Sequence, residues 1–156
     1  MIATEVVNMF IINDLFLVCM TYVRELMSKN VVTLDIEKSA YDAAKLMMER
    51  DISTLIITKD NEPIGIVTER DFVRRICGKD MKSSQIKLSE IMSSPLITIG
   101  SDMPIDIAAA TMAERKIRRL VVVQDSKMLG ILTGTDLVKN LREDWARKLD
   151  FLIDSI

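Results

Sequence analysis

The stretch Gly65-Ile66-Val67-Thr68-Glu69-Arg70-Asp71 returns 65 positions later as Gly130-Ile131-Leu132-Thr133-Gly134-Thr135-Asp136. The same offset places Met27 on Met92 and, more broadly, residues 23–76 on residues 88–141 without a gap. A gapless match over two whole units indicates the duplication of one supersecondary element. The repeat is therefore the feature that decides the fold.

Each copy carries the pattern strand, helix, strand, strand, helix. Short β-branched runs predict strands, apolar residues three and four apart predict helices, and polar turn residues between two strands predict a hairpin. Pro104 suits the first turn of a helix, where no amide hydrogen is needed. The predicted elements of the first copy are Val31–Leu34, Ser39–Glu49, Leu55–Thr58, Ile64–Val67 and Asp71–Ile76. Those of the second copy are Leu96–Ile99, Pro104–Arg115, Leu120–Val123, Leu129–Leu132 and Asp136–Leu141, with the last helix continuing to Leu152.

The predicted organisation is an α+β fold in five segments. The segments are an N-terminal apolar segment (1–22), a first repeat (23–76), a linker (77–87), a second repeat (88–141) and a C-terminal helical extension (142–156). A unit of about 55 residues buries too little surface to be stable alone, so we expect the two copies to pack together.

The apolar run of residues 2–20 is interrupted by Glu5, Asn8, Asn13 and Asp14, which disfavours a membrane span. A signal peptide is also disfavoured, because the run lacks a basic start and a small-residue cleavage site. We expect a helix or strand that packs on the body or on a second subunit. Met20 as the natural start is an open alternative.

Composition excludes several classes of function. Lys and Arg total 21 against 23 Asp and Glu, for a net charge of −2 and a pI near 5.3, which disfavours nucleic-acid binding. The chain has no His, so histidine triads, histidine bases and most zinc sites are excluded. Cys19 and Cys77 are interpreted as buried reduced thiols of a cytoplasmic protein. We expect no enzyme, no metal and no cofactor.

The first helix of each copy is apolar on a second side. Leu46 and Met48 lie there in the first copy, and Ile107, Ala110 and Ala113 in the second. A surface helix of a monomer needs only one apolar stripe, so the surplus predicts a homodimer.

The phrase Thr-x-x-Asp at each strand-to-helix junction has two interpretations. It is a capping-box pattern, with Thr as the N-cap and the acid in the first turn. It also suits a nucleotide, since a helix N-terminus favours phosphate and a carboxylate can accept both ribose hydroxyls. Arg118-Arg119, where the first copy has Ser53-Thr54, adds bidentate phosphate donors at the second copy.

Together these residues resemble a tandem pair of CBS domains (cystathionine β-synthase domains), called a Bateman module. The resemblance covers residues 23–141 and rests on the duplicated Gly-x-x-Thr-x-x-Asp phrase and the Ile-Arg-Arg-Leu-Val-Val-Val strand at residues 117–123. It implies two β-α-β-β-α repeats packed with pseudo-twofold symmetry, two clefts between them, and flat dimeric discs. Such modules typically bind adenine nucleotides or related adenosyl ligands and regulate an attached or partner protein.

The resemblance also implies the site residues, and each cleft takes residues from both copies. The first cleft combines Thr98, Ile117, Arg118 and Arg119 with Ile66, Thr68, Arg70 and Asp71. The second combines Thr33, Ile52, Ser53 and Thr54 with Ile131, Thr133, Thr135 and Asp136.

The roles of these residues follow from the same resemblance. Asp71 and Asp136 would hold ribose, whereas Arg118, Arg119 and the threonines Thr68, Thr133 and Thr135 would face phosphate. Arg118 stands where the family often has His. The first cleft has more cationic donors, so the sequence ranks it as the tighter site for a charged nucleotide.

The leading hypothesis is a stand-alone cytoplasmic module that binds AMP, ADP, ATP or S-adenosylmethionine and regulates an unidentified partner protein. The alternative is an interaction scaffold with vestigial clefts. Nucleic-acid and membrane partners are not expected.

Overall fold

The computed structural model describes residues 21–143, which form two compact units. One unit consists of residues 30–97, and the other combines residues 21–29 with residues 98–143. Each contains one three-stranded sheet with helices, so the α+β fold class is confirmed. The predicted N-terminal segment up to residue 20, and the extension beyond residue 143, lie outside the described residues.

The unit of residues 30–97, here the first-repeat unit, has its strands in the order β1-β2-β3. Strands β1 and β2 are parallel, and β2 and β3 are antiparallel. Its elements are β1 (Thr33–Asp35), α2 (Ala40–Arg50), β2 (Thr54–Lys59), β3 (Glu62–Thr68), α3 (Glu69–Arg75), two 3₁₀ turns (Cys77–Lys79 and Ser83–Gln85) and α4 (Leu88–Ile91).

The second-repeat unit reproduces this sheet in the order β4-β5-β6, again with one parallel and one antiparallel pair. Its elements are α1 (Val23–Leu26), β4 (Thr98–Gly100), α5 (Ile105–Arg115), β5 (Arg119–Gln124), β6 (Lys127–Thr133) and α6, which is helical from residue 134 to residue 143.

Both hairpins turn through two residues in the left-handed region. Asp60 and Asn61 have φ of 52° and 65°, and Asp125 and Ser126 have φ of 49° and 62°. Two consecutive positive φ values define a type I′ turn, whose twist matches that of the flanking strands, and Asn and Asp tolerate it best. The turn residues that predicted the hairpins therefore also account for their geometry.

The core of the first-repeat unit lies between α2 and one face of its sheet. Leu55, Ile57 and Val67 are fully buried there against the Ala43 and Met47 side of α2. Burying one such aliphatic side chain stabilises the fold by about 1.5–3 kcal/mol relative to leaving it exposed. In the second-repeat unit the buried equivalents are Ala108, Met112, Leu120, Val122 and Leu132.

The two short helices α1 and α4 are exchanged between the repeats. Although α1 begins the first repeat, Val23 N donates to Met103 O at 2.9 Å, and Ser28 pairs with Ile131 of β6. Although α4 begins the second repeat, Ser93 behind it pairs with Ile66 of β3. Each sheet is thus extended by the leading segment of the other repeat.

Three local expectations are corrected. Pro104 is the N-cap of α5, with extended ψ of 149°, and not a residue of its first turn. Cys77 is a free thiol, as expected, but it is exposed, because it lies in a 3₁₀ turn behind α3 that has no buried residue. The helices of the Thr-x-x-Asp phrases begin directly after the threonines, earlier than predicted, since each threonine is itself the cap.

Among residues 21–143, no helix combines the length and the apolar content that crossing a bilayer requires.

Candidate functional site

Each sheet ends in a junction where its last strand passes directly into a helix. Strand β3 ends at Thr68 and α3 begins at Glu69, while β6 ends at Thr133 and α6 follows. We call residues 53, 54, 66, 68, 70 and 71 the first junction. Residues 118, 119, 131, 133, 135 and 136 form the second junction.

The carboxylates of both junctions are held by the threonine three residues earlier. Asp71 Oδ2 accepts hydrogen bonds from Thr68 N and Thr68 Oγ1, both at 2.8 Å. Asp136 Oδ2 accepts from Thr133 N at 2.8 Å and from Thr133 Oγ1 at 2.6 Å. The capping interpretation of the motif is therefore correct. The capping hydrogen bonds start the two helices. The same bonds fix the positions of two half-buried carboxylates.

The first residue of each central strand pairs with the threonine that holds the carboxylate. Thr54 and Thr68 are cross-strand partners in the first-repeat sheet, and Arg119 and Thr133 occupy the same position in the second. The first amide of each helix is hydrogen-bonded to the residue just before the central strand. Glu69 N donates to Ser53 O at 3.2 Å, and Gly134 N donates to Arg118 O at 3.0 Å. These two helix-start amides are thus already used within the chain.

One buried polar atom of the first junction lacks a partner. The Oγ1 atom of Thr54 is buried and forms no hydrogen bond within the described residues. Leaving a buried hydroxyl unpaired costs about 1–3 kcal/mol, and such atoms in native proteins call for an explanation. The sequence resemblance places Thr54 among the ligand contacts, and a bound polar group would satisfy its hydroxyl.

The remaining predicted residues lie on the strands and helices around the junctions or just before the central strands. Thr33 and Thr98 are exposed on the first strands, in register with Ile56 and Val121 of the central strands. The half-buried pairs Ile52 and Ile117, and Ile66 and Ile131, supply apolar surface, whereas Arg70 and Thr135 are exposed in the first helical turns.

The two compact units group these residues by repeat. Ser53 and Thr54 share a unit with Thr68 and Asp71, although the resemblance assigns them to different clefts. Each junction therefore contains parts of both predicted clefts. The division of residues between two clefts stays a prediction.

Sequence reasoning missed one residue beside Asp71. Arg75 lies one helical turn beyond it, with Nε 3.5 Å from Asp71 Oδ1, and its Nη1 donates to Ile91 O at 2.6 Å and Met92 O at 2.8 Å. The spacing of four residues on a helix was the available signal. The equivalent position in the second repeat is Asn140, which carries no charge.

Within residues 21–143, no group of three or more Asp, Glu or Cys side chains is placed to hold a metal ion.

The duplicated sequence matches a known family model. The CBS domain model matches residues 23–78 and 88–143, once for each repeat. The chain belongs to the CBS domain family. The resemblance to a tandem pair of CBS domains is confirmed.

Curated relatives of this CBS pair include proteins of two archaea. An uncharacterised protein of Methanopyrus kandleri is 35% identical over 119 residues, which are 75% of this chain and 61% of the relative. An uncharacterised protein of Methanocaldococcus jannaschii is 30% identical over 117 residues, or 73% of this chain and 63% of the relative. The chain thus spans about three fifths of the length of these relatives. A third relative, homoserine O-acetyltransferase of Methanohalobium evestigatum, is matched over only 24% of its length.

Solved structures share the CBS-pair fold. A putative signal-transduction protein with CBS domains from Burkholderia ambifaria is 29% identical with a TM-score of 0.76, covering 80% of this chain and 96% of that one. A hexameric CBS-CP12 protein from bloom-forming cyanobacteria is 31% identical with a TM-score of 0.71, covering 76% and 66%. A CBS domain pair in complex with 5′-methylthioadenosine and S-adenosyl-L-methionine is 28% identical with a TM-score of 0.70, covering 80% and 98%.

Proposed function

We propose that this chain is a regulatory module that binds an adenosyl ligand (AMP, ADP, ATP or S-adenosylmethionine) through its two junctions. The observation that carries the proposal is the pair of carboxylates, Asp71 and Asp136, fixed in equivalent positions by Thr68 and Thr133. A CBS pair of similar fold, solved with two adenosyl compounds, supports the ligand class.

The carboxylates suit ribose. An ionised carboxylate is an acceptor with about four positions, and the threonine amide and hydroxyl take two of them on Oδ2. The 2′- and 3′-hydroxyls of ribose are two donors on adjacent carbons. A hydrogen bond from a hydroxyl to a charged acceptor is stronger than a neutral one, so a fixed carboxylate selects a diol.

Apolar side chains next to the carboxylates suit a base. Ile66 and Ile131 precede the capping threonines by two residues on their strands, and Ile52 and Ile117 lie just before the central strands. All four are half-buried, so each offers aliphatic surface that is incompletely covered by its own unit. Small-molecule sites combine such surface with a few fixed polar groups.

Side chains, and not the first amide of each helix, are expected to hold any phosphate. The amides of Glu69 and Gly134 already donate within the chain, and the hydroxyls of Thr68 and Thr133 donate to the carboxylates. Each hydroxyl has a single hydrogen to give. We therefore assign phosphate contact to Arg70, Arg118 and Thr135, and expect the capping threonines to act through the aspartates.

Regulation then requires a ligand that distinguishes two arrangements of the module. A ligand shifts an equilibrium only by its differential affinity for the two states, and the coupling to a partner is reciprocal. We propose no chemical reaction for this chain.

The test is isothermal titration of the purified, ligand-free protein with AMP, ATP and S-adenosylmethionine. Saturable binding of at least one compound is expected, and at least one of the variants Asp71→Asn and Asp136→Asn should weaken it about tenfold or more by removing a charge-assisted bond. Glu69→Gln is the matched control, since Glu69 is an exposed acid on the same helix as Asp71. No binding of any compound by the folded protein would overturn the proposal.

A second candidate is a protein-interaction scaffold, and a specific observation favours it. Val73 and Val138, at equivalent positions of α3 and α6, are 62% and 63% exposed. Isolated exposed apolar residues are common, but one that recurs at equivalent positions is a surface feature that each repeat carries separately. Partner binding that is lost in Val73→Asp and Val138→Asp, yet unchanged in the aspartate variants of the junctions, would favour the scaffold.

A further inference from the structure

We propose that Arg75 determines which junction binds ribose: its ion pair with Asp71 competes with the ribose hydroxyls for that carboxylate, which makes the second junction, with Asp136, the stronger ribose site. This inference rests on the proposed adenosyl binding. It assigns a specificity role to a residue outside both predicted clefts.

The Asp71 carboxylate has only one oxygen that Thr68 leaves open. Its Oδ2 accepts two hydrogen bonds from Thr68, so a diol must use Oδ1. Arg75 Nε lies 3.5 Å from that same Oδ1. The guanidinium therefore stands at the acceptor atom that ribose needs, and the Asp71 side chain is only 13% exposed, which leaves few other directions of approach.

Arg75 is anchored by its other hydrogen bonds and cannot readily leave Asp71. Its Nη1 donates to Ile91 O at 2.6 Å and to Met92 O at 2.8 Å, and Nη2 lies 3.5 Å from Ser93 Oγ. Hydrogen bonds from a charged donor are among the stronger ones, and the planar fork of arginine fixes the direction of all its N–H groups together. Displacing the guanidinium from Asp71 would break or strain these bonds.

The second repeat lacks the arginine that pairs with the acid in the first repeat. Asp136 Oδ2 is held by Thr133 in the same way, but no ion pair to Asp136 exists within residues 21–143. The residue equivalent to Arg75 is Asn140, which is uncharged and buried. With respect to the described residues, Oδ1 of Asp136 thus keeps both of its acceptor positions for two hydroxyls.

This ranking differs from the one that Arg118 and Arg119 predict for a charged nucleotide. The arginines act on phosphate, whereas Arg75 acts on ribose recognition. A ligand without phosphate separates the two effects. The suitable probe is 5′-methylthioadenosine, with its 2′-deoxy analogue as the ligand that lacks one hydroxyl.

The experiment is isothermal titration of the full chain with both probes, on the wild type, Asp71→Asn, Asp136→Asn, Arg75→Gln and the control Arg74→Gln. Gln removes the charge and keeps a polar N–H group on a shorter side chain, and Arg74 is the exposed neighbour on the same helix. Circular dichroism checks that each variant folds.

The wild type is expected to bind one 5′-methylthioadenosine per chain and to discriminate against the deoxy analogue by about tenfold. Asp136→Asn should lose this binding, and Asp71→Asn should leave it within about threefold. Arg75→Gln should add a second site of comparable affinity, which Arg74→Gln should not. If Arg75→Gln fails to fold, the two aspartate variants and the deoxy analogue still decide the ranking.

The outcomes separate this inference from the proposed function. Binding lost in Asp71→Asn but kept in Asp136→Asn would overturn the role of Arg75 and leave adenosyl binding intact. Two equal sites in the wild type would do the same. No binding of 5′-methylthioadenosine to the wild type or to Arg75→Gln would overturn this inference, and failure of AMP, ATP and S-adenosylmethionine as well would overturn both.

Discussion

Asp71 and Arg75 form an ion pair across one turn of α3, with Oδ1 3.5 Å from Nε. The same guanidinium donates to the carbonyls at the end of α4, so a candidate ligand-binding acid is linked to the segment that closes the first-repeat unit. Because the ion pair is partly exposed, its own contribution to stability is small. The bonds to the two carbonyls are expected to contribute more.

Arg75→Ala should therefore destabilise the fold by about 1.5–3 kcal/mol, since two carbonyls lose a charged donor. Arg74→Ala, on the same helix but exposed, should stay within about 0.5 kcal/mol of the wild type. Urea unfolding followed by circular dichroism measures both. Equal losses in the two variants would show that the carbonyl bonds contribute nothing specific.

Gly130→Ala should be more harmful than Gly65→Ala, although the glycines are equivalent in the repeat. A Cβ at Gly130 would lie 2.5 Å from Ser28 O, whose position is fixed because Ser28 and Ile131 exchange two hydrogen bonds of 2.9 Å. A Cβ at Gly65 would first meet Met92 Sδ at 2.7 Å, a flexible side chain that can move.

The expected cost is about 1–3 kcal/mol for Gly130→Ala, as for other overpacked sites, and clearly less for Gly65→Ala. Thermal unfolding of the two variants side by side gives the comparison. A larger loss for Gly65→Ala would mean that Met92 is as rigid as a backbone carbonyl.

The sequence predicts the repeated unit well and the exchange of α1 and α4 not at all. Periodicity and turn residues such as Asp60 and Asn61 are local, so they identify strands, helices and hairpins directly. By contrast, the strand that pairs with the segment behind α1 or α4 is distant in the sequence, so local patterns do not identify it. Met27-Ser28 and Met92-Ser93 are identical pairs facing the equivalent glycines Gly130 and Gly65, so the sequence offers two chemically equal pairings.

The candidate site shows the same limit. The spacing of Thr68 and Asp71 was enough to predict the capping bonds, because residues three apart on a helix start must meet. The spacing of Asp71 and Arg75 permitted an ion pair, but only the position of the Ile91 and Met92 carbonyls shows that the arginine is anchored there.

Asp42 gives a prediction of pH dependence. Its carboxylate accepts from Ser39 N at 2.9 Å and Ser39 Oγ at 2.8 Å at the start of α2, and these hydrogen bonds hold the pKa of Asp42 below its ordinary value. A carboxyl whose pKa is lower in the folded state stabilises the fold above its ordinary pKa. That stabilisation is lost as the pH falls through the folded-state pKa.

Asp42→Asn should therefore lower the urea midpoint at neutral pH, and the difference from the wild type should shrink as acid protonates Asp42. The control is Asp106→Asn in the first turn of α5, where the N-cap Pro104 has neither an amide hydrogen nor a hydroxyl to donate. A difference that stays constant through the acid range would show that the Ser39 bonds do not act on the charged carboxylate.

The second apolar side of the first helix in each repeat is expected to join two copies of the chain. Met48 on α2 is 77% exposed and Ile107 on α5 is 42% exposed, as the surplus of apolar residues on these helices predicts for a surface that a second copy covers. Sedimentation equilibrium of the wild type should give twice the chain mass of 17.7 kDa.

Met48→Glu should shift the protein to the monomer, because a dimer would have to bury the new charge. Met81→Glu is the matched control, since Met81 is an exposed methionine outside both helices. A wild type that sediments as a monomer, or a dimer that Met48→Glu leaves intact, would show that this side does not join two copies.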